Sequence, residues 1–209
     1  MRDAASCMIP DPTFLRAGRT PRRPARFIAA LCLVAVTAAC GTGGDHVTPV
    51  ASTAAPSSAM QGAGIVGPYV LRIPRIGVDA QIVPIKSNEE GILEPPRNIS
   101  VAGWWSDGAA PGEPQGSAIL VGHSVRYKLG GVFDDIEYLS RGDAIEVEGS
   151  HSTLTYRVQS NDLLSKDDLA RNAEQIFDQT GAGRLVVITC GDFDGTVWRS
   201  NIVTIAEPI

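Results

Sequence analysis

The sequence predicts an all-β fold, a closed barrel or a sandwich, with one or two short helices. Seven short runs rich in Val, Ile, Leu, Thr and Tyr recur over residues 69–206, and clusters of Gly, Pro, Asp and Ser separate them. Helical periodicity is thin and is concentrated at 165–177. Many strands with little helix are typical of barrels and sandwiches.

The predicted strands carry the pattern of half-buried β-structure. Alternation is clearest in DAIEVEG at 143–149, where Ile145 and Val147 face one way and the intervening residues face the other. The segment EGSHST at 148–153 predicts a hairpin turn into the next run. In chain order, the predicted strands are 69–73, 79–85, 116–123, 143–149, 152–160, 184–190 and 197–206.

Two segments predict helices. In SKDDLARNAEQIF at 165–177, Ser165 is a suitable N-cap, and acidic residues occupy the first turn, where they favour the helix dipole. The segment FDDIEYL at 133–139 predicts a second, short helix.

Residues 1–40 are predicted to be a targeting segment. A basic stretch with three arginines precedes the apolar run 27–39, which is shorter than the roughly 20 residues of a membrane span. The run ends in VTAAC, which resembles a bacterial lipobox and makes Cys40 a candidate for lipidation. An uncleaved membrane anchor and ordinary secretion are the alternatives. All three place the folded part outside the cytoplasmic membrane.

Composition divides the rest of the chain into a linker and one domain. Residues 41–66 are rich in Gly, Ser, Thr, Ala and Pro, which predicts a flexible linker. Residues 67–209 have the length of a single domain. The formal net charge is −5, although six arginines lie within residues 1–39. The folded part is therefore acidic, and a nucleic-acid partner is not expected.

Cys190 is the candidate nucleophile of this domain. It is the only cysteine in 67–209, so an internal disulfide is excluded there. A buried, inert cysteine is the alternative. Three features favour a catalytic role: the predicted strand ends at Cys190, Gly191 gives a ligand room to approach, and a compartment outside the cytoplasmic membrane would oxidise a thiol that has no function. Since a free thiol has a pKa of about 8.5, a nucleophilic cysteine needs a base or a cation nearby.

His123 is the candidate base. It follows an apolar run as Cys190 does, so both side chains could lie at one rim of a barrel. The other two histidines are less suitable, because His46 lies in the linker and His151 in a hairpin turn.

Arg199 is the candidate cation for an oxyanion. It interrupts the otherwise apolar or small run 197–206 and lies nine residues after Cys190, which predicts a hairpin around GDFDGT at 191–196. Strands of a hairpin are close neighbours, so Arg199 could reach the thiol. An outward-facing arginine with its head in water is the alternative.

The segments around these three residues resemble the sortases, most narrowly the class F sortases of actinobacteria. They read GHS at His123, TCG at Cys190 and WRSNIV at Arg199. Further matching segments cover nearly all of the folded domain in order: RIPRIGVDAQIVPI at 72–85, GWWSDGAAPGEPQGSAILVGH at 103–123, GGVFDDIEYLSRGDAIEV at 130–147 and TYRV at 155–158. Two features depart from the family: Ser124 and Val125 replace a frequent Val-Asp, and the predicted hairpin is short.

The resemblance implies an eight-stranded β-barrel and a cysteine transpeptidase acting on a Leu-Pro-x-Thr-Gly-like sorting signal. In that chemistry Cys190 attacks the Thr carbonyl and forms a thioacyl intermediate. His123 protonates the leaving amine and then deprotonates the incoming amine. Arg199 holds the substrate and stabilises the oxyanion, and Thr189 is a further candidate for the oxyanion hole.

The implied partners are a sorting-signal peptide of surface proteins, an amine acceptor such as a cell-wall precursor, and the membrane through the N-terminal anchor. No cofactor and no catalytic metal are expected. Trp104 and Trp105 are candidates for lining a peptide groove, with core packing as the alternative. Two other functions stay open: a peptidase that uses water as acceptor, and a non-catalytic surface lipoprotein that binds peptide or cell wall.

Overall fold

The computed structural model describes residues 9–10, 69–125 and 129–209. These residues form ten strands, one α-helix and two 3-10 turns, at Pro74–Ile76 and Ile136–Tyr138. In chain order the strands and the helix are β1 (Ile9–Pro10), β2 (Tyr69–Ile73), β3 (Val78–Ile85), β4 (Ile92–Leu93), β5 (Ala102–Trp105), β6 (Ser117–Val121), β7 (Ala144–Glu148), β8 (Thr153–Ser165), α1 (Lys166–Ile176), β9 (Arg184–Phe193) and β10 (Trp198–Pro208).

Eight of these strands close into one barrel, in the order β10-β8-β7-β2-β3-β5-β6-β9. The predicted all-β fold and the eight-stranded barrel are therefore confirmed. Neighbouring strands are antiparallel except for two parallel pairs, β3 with β5 and β6 with β9. Closure satisfies the backbone groups that an open sheet would leave at its edges. The short strands β1 and β4 pair with each other outside the barrel.

The buried side chains form two apolar layers, and β9 contributes to both. Leu185 and Val187 belong to a cluster built from residues of most barrel strands, which fills the barrel. Val186 and Ile188 belong to a second cluster that includes the buried face of α1. Because both faces of β9 are covered over residues 185–188, this part of the strand is an unbroken apolar run and lacks the alternation of a half-exposed strand.

The structure corrects the predicted position of Cys190 in its strand. The predicted strand 184–190 ends at the cysteine, but β9 continues to Phe193 along its hairpin partner β10. The pairing of β9 with β6 does stop at Ile188. Cys190 thus lies inside a strand whose neighbour on one side has already ended.

Other boundaries also differ from the prediction. The segment 133–139 contains only a 3-10 turn in place of a helix. Strand β8 extends five residues beyond the predicted end at 160, and β6 stops before Gly122 and His123. The short strands β4 and β5 were not predicted, because two to four residues are too few to show a period.

The predicted targeting segment 1–40, with Cys40, and the linker 41–66 lie outside the described residues, apart from residues 9–10. Within the described part of the chain, no helix has both the length and the apolar character that a membrane crossing requires.

The N-cap of α1 gives a first prediction. The Ser165 hydroxyl accepts a hydrogen bond from the Asp168 backbone N–H at 3.0 Å. We expect Ser165→Ala to lower the free energy of unfolding by about 1 kcal/mol, because this N–H loses its acceptor. Urea unfolding measures the change, with Ser152→Ala, at an exposed position, as the control. Equal midpoints for the two variants would contradict the capping role.

Candidate active site

The parallel strands β6 and β9 bring His123 and Cys190 to the same end of the barrel. The last paired residues of the two strands are Val121 and Ile188. His123 and Cys190 each lie two residues beyond this pair, so the same register places them next to each other. Cys190 belongs to the same apolar cluster as Val121 and Ile188, which packs toward α1.

Hydrogen bonds hold the two chains together beyond the last strand pair. The Gly122 N–H donates to the Ile188 carbonyl at 3.2 Å. The Thr189 hydroxyl donates to the Gly122 carbonyl at 2.9 Å. The residues that precede His123 and Cys190 are therefore in direct contact.

Strand β10 brings Arg199 to the other side of Cys190. Asn201 is the strand partner of Cys190, and Arg199 lies two residues earlier on β10. Arg199 lies between Trp198, which pairs with Phe193, and Ser200, which pairs with Gly191. The three predicted catalytic residues thus come from neighbouring parts of the chain: Cys190 from β9, Arg199 from its hairpin partner β10, and His123 from the segment that follows β6. Of the three, only Cys190 borders the cleft described next. In the described residues, no hydrogen bond joins their side chains.

A cleft of about 590 Å³ lies beside Cys190, whose side chain is otherwise buried at 4% exposure. One wall is apolar and includes Leu163, Phe193, Trp198 and Ile202. The same cleft is bordered by three carboxylates, those of Asp134, Glu137 and Asp192. A space of this size, apolar with a few polar groups, has the properties of a ligand-binding cleft.

The apolar wall explains the glycine that follows Cys190. A Cβ atom at Gly191 would lie 2.6 Å from Leu163 Cδ1 and 2.9 Å from Ile202 Cγ1. The space next to Gly191 is thus filled by these side chains. Gly191 lets these side chains pack close to the backbone and also borders the cleft, so its role in the approach of a ligand stays a prediction.

One nitrogen of His123 is engaged. Nε2 lies 2.9 Å from the Pro96 carbonyl oxygen, and the ring is half-buried. Because a carbonyl can only accept, Nε2 must carry a proton in this contact. Nδ1 is then the nitrogen that can take up and release a proton.

Arg199 is held at its Nε. This atom donates to Asp194 Oδ2 at 2.8 Å, and the guanidinium is largely exposed. Asp194 Oδ1 accepts the backbone N–H groups of Val197 and Thr196, each at 2.8 Å. These bonds, first from Val197 and then from Thr196 and Arg199, lower the pKa of Asp194 to about 2. The aspartate thus connects the tip of the β9–β10 hairpin to Arg199.

Thr189 lies on the other face of β9 from Cys190. Its side chain is fully buried, and Oγ1 lies 2.9 Å from both the Gly122 carbonyl and the Ser124 hydroxyl. In this structure the hydroxyl connects the two strands. Its predicted contribution to an oxyanion hole stays a prediction.

For the two tryptophans, the structure shows packing contacts. Trp104 Nε1 donates to the Ala109 carbonyl at 3.0 Å, and its ring meets Tyr69 edge-on at 5.7 Å. Trp105 is 1% exposed and lies in the cluster between the barrel and α1. Neither borders the cleft beside Cys190.

The sequence did not reveal three of the side chains that support this site. Ser124 stood out only as a departure from the family, although its hydroxyl contacts Thr189. Asp134 and Asp194 looked like acids of an exposed helix and of a polar turn. In the structure their carboxylates bind backbone N–H groups next to His123 and Arg199. No pattern in the sequence marks such contacts.

Comparison with known proteins agrees with this geometry. A family model described as the sortase domain matches residues 71–209. The chain belongs to the sortase family. This assigns the protein to the cysteine transpeptidases of the sortase type. A search of curated protein sequences finds no match to this sortase.

Solved structures of other sortases share the fold at low sequence identity. This sortase is similar to the Clostridium perfringens sortase D5 transpeptidase, with 20% identity, a TM-score of 0.51 and coverage of 70% of this chain and 79% of the other. It is also similar to Listeria monocytogenes sortase A, with 19% identity, a TM-score of 0.52 and coverage of 70% of this chain and 88% of the other. For sortase C-1 from Actinomyces oris the identity is 20%, the TM-score is 0.51, and the alignment covers 69% of this chain and 75% of the other. Because these neighbours come from several classes, class F stays a prediction.

Gly122 gives a prediction about the position of His123. An added Cβ would lie 2.4 Å from Phe133 Cδ2. We expect Gly122→Ala to displace the start of the His123 segment and to lower the transpeptidation rate by about 10-fold or more, since a shift of about 1 Å can cost this much. Steady-state kinetics of the wild type and of Gly122→Ala measure this loss in rate. Adding Phe133→Leu, which removes the ring atoms, should restore part of the rate. No loss in the single variant would contradict the packing argument.

The Asp194–Arg199 contact gives a prediction with a defined pH dependence. The pKa of Asp194 falls from 3.8 to about 2 on folding, so its stabilisation is complete above about pH 4 and is lost as the pH falls toward 2. We expect Asp194→Asn to lower the stability to urea at pH 5–7, and the difference from the wild type to shrink below pH 4.

Asp192→Asn, in the same hairpin but outside this contact, is the matched control. A wild-type advantage that persists unchanged at pH 2 would show that the Asp194 charge contributes nothing.

Proposed function

We propose that this sortase cleaves a Leu-Pro-x-Thr-Gly-like sorting signal and transfers the acyl part to an amine. The observation that supports this most strongly is that Cys190 borders a cleft of about 590 Å³ and lies on β9 between the two neighbours that carry the other candidates, β10 with Arg199 and β6, which leads into His123. A thiol nucleophile, a proton-exchanging imidazole and a fixed cation are the groups that acyl transfer requires.

In the first step the Cys190 sulfur, as thiolate, attacks the carbonyl carbon of the Thr–Gly bond. The tetrahedral intermediate collapses as the C–N bond breaks. His123, protonated at Nδ1, gives this proton to the leaving amine. The products are a thioester on Cys190 and a peptide with a free amino group.

In the second step an acceptor amine attacks the thioester carbon. His123 Nδ1 takes the proton of this amine, the C–S bond breaks, and Cys190 leaves as thiolate. The new amide joins the sorted protein to the acceptor, for which a cell-wall precursor is the proposed source. The enzyme returns to its starting protonation state, so no other reactant is consumed.

Arg199 is proposed to stabilise the oxyanion and to hold the peptide. Its Nε binds Asp194, which leaves the other N–H donors of the planar guanidinium to contact the substrate. Thr189 is proposed as a further contributor to the oxyanion hole. The peptide would lie along the apolar wall of the cleft.

The proposed location is the outer face of the cytoplasmic membrane. The basic and apolar segment at residues 21–40 supports export, and Cys40 is the proposed site of lipidation. The linker 41–66 would then hold the catalytic domain away from the membrane. Class F is the proposed subclass, on the sequence segments quoted above.

The test is covalent capture of the intermediate. The full chain is mixed with a Leu-Pro-x-Thr-Gly-type peptide without added amine, and intact-mass spectrometry measures the acyl adduct. We expect an adduct on the wild type and none on Cys190→Ala. We expect His123→Ala to form it at least about 100-fold more slowly, because it lacks the general acid.

A second arm adds an amine and resolves the products. Transfer to the amine supports a transpeptidase, whereas release of the free acid alone would identify a peptidase with water as acceptor. A folded wild type that forms no adduct across a panel of related motifs would contradict the proposal. It would favour a protein that only binds peptide or cell wall.

A further inference from the structure

His123 is the member of the catalytic set that no strand holds. Strand β6 ends at Val121, two residues before it, whereas Cys190 and Arg199 lie inside the paired strands β9 and β10. The position of the imidazole therefore depends on contacts from elsewhere in the chain. The backbone contacts come from the segment 130–139, which follows it in sequence.

Two hydrogen bonds join Phe133 to His123 and its neighbour. The Phe133 N–H donates to the His123 carbonyl at 2.9 Å. The Ser124 hydroxyl donates to the Phe133 carbonyl at 2.9 Å. Because the Phe133 ring is fully buried in the barrel core, these bonds connect the end of β6 to a fixed point.

The Asp134 carboxylate makes three further bonds in the same region. Oδ1 accepts the Val125 N–H at 2.5 Å. Oδ2 accepts the Gly130 N–H at 3.0 Å and the Gly131 N–H at 2.9 Å. A carboxylate that accepts several N–H groups forms charge-assisted bonds, which are stronger than neutral ones. Asp134 thus connects the residues directly after His123 to the start of the segment 130–139.

The packing around Asp134 is tight. A Cβ atom at Gly131 would lie 2.5 Å from Asp134 Oδ1 and 2.6 Å from the His123 carbonyl oxygen. Carboxylate, glycine and histidine backbone therefore approach each other without room for a side chain. A change in the position of the carboxylate would be transmitted to His123.

The segment 130–139 is itself anchored to the barrel. The Asn161 amide on β8 donates to the carbonyls of Ile136 at 2.9 Å and Leu139 at 3.0 Å. Its oxygen accepts the Thr204 hydroxyl of β10 at 2.8 Å. The segment that holds His123 is thereby fixed to the strands on the Arg199 side of the site.

We propose that Asp134 is a positioning residue for His123 in the acyl-transfer reaction. The proposal rests on the proposed role of His123 as the proton-exchanging group. Asp134 does not touch the reacting atoms. It acts through the backbone of residues 123–125, whose conformation sets the direction of the imidazole and the reach of Nδ1.

The experiment compares Asp134→Asn with the matched neighbour Asp135→Asn, and with His123→Ala as reference, in the full chain. In Asp134→Asn an amide NH₂ faces backbone N–H groups, so bonds and charge are lost with almost no change in volume. Two readouts need no sorting peptide: the ¹⁵N signals of labelled histidine, and the pH profile of Cys190 alkylation by iodoacetamide.

We expect Asp134→Asn to shift the ¹⁵N signals of His123 and to move the alkylation profile toward that of His123→Ala, while Asp135→Asn behaves as the wild type. With a peptide substrate, kcat should fall about 10- to 100-fold. Thermal melting checks that each variant is folded. If Asp134→Asn unfolds, Asp134→Glu keeps the charge but displaces the carboxylate, and we expect the same shifts.

Wild-type ¹⁵N signals and alkylation profile in a folded Asp134 variant would overturn the proposal. Identical alkylation profiles of the wild type and His123→Ala would also overturn it, because His123 would then have no influence on the thiol. If the adduct experiment fails while Asp134→Asn alone produces the shifts, the substrate proposal fails and the positioning role stands.

Discussion

The parallel pairing of β6 with β9 is the contact on which the geometry of this sortase depends. It joins residues 67 positions apart, such as Gly122 and Thr189, and ends at the same level on both strands. Beyond the last pair the two chains stay bonded through Gly122, whose neighbours on β9 are Ile188 and Thr189, so the residues that follow start close together. The β9–β10 hairpin then adds Arg199 from the other side. Closure of the barrel fixes this order of strands, since no strand can leave without opening the ring.

The three catalytic candidates are held by different means. Cys190 is fixed by strand pairing and by an apolar cluster on α1, which suits a nucleophile that must approach a carbonyl at one angle. Arg199 is fixed through an aspartate in a tight hairpin. Among the described residues, His123 is hydrogen-bonded by two segments outside the barrel strands, through the Pro96 carbonyl and the Phe133 N–H. The group that must move protons in both directions is thus the one whose support is assembled from several segments.

The supporting acids show how charge contributes to such a site without taking part in the chemistry. Asp134 and Asp194 each bind backbone N–H groups near a catalytic residue, as a turn or a cap would. Both stay near solvent, where an isolated charge costs little. Their main effect is to orient the backbone near His123 and Arg199, because a carboxylate with several N–H partners has few alternative positions.

The amino-acid sequence by itself determined the strands with clear alternation, the cap of α1, the hairpin that connects Cys190 to Arg199, and the residue types of the site. These features depend on neighbours within a few positions, which the sequence displays directly. Strands of two to four residues, such as β4 and β5, are too short to show such a pattern. The prediction that the strand ends at Cys190 was wrong because pairing with β10 extends β9 to Phe193. The register of β6 against β9, the wall around Gly191 and the bonds of Asp134 and Asp194 were decided only by the tertiary structure. Most of them join residues far apart in the chain or depend on a precise backbone path, which residue types alone do not specify.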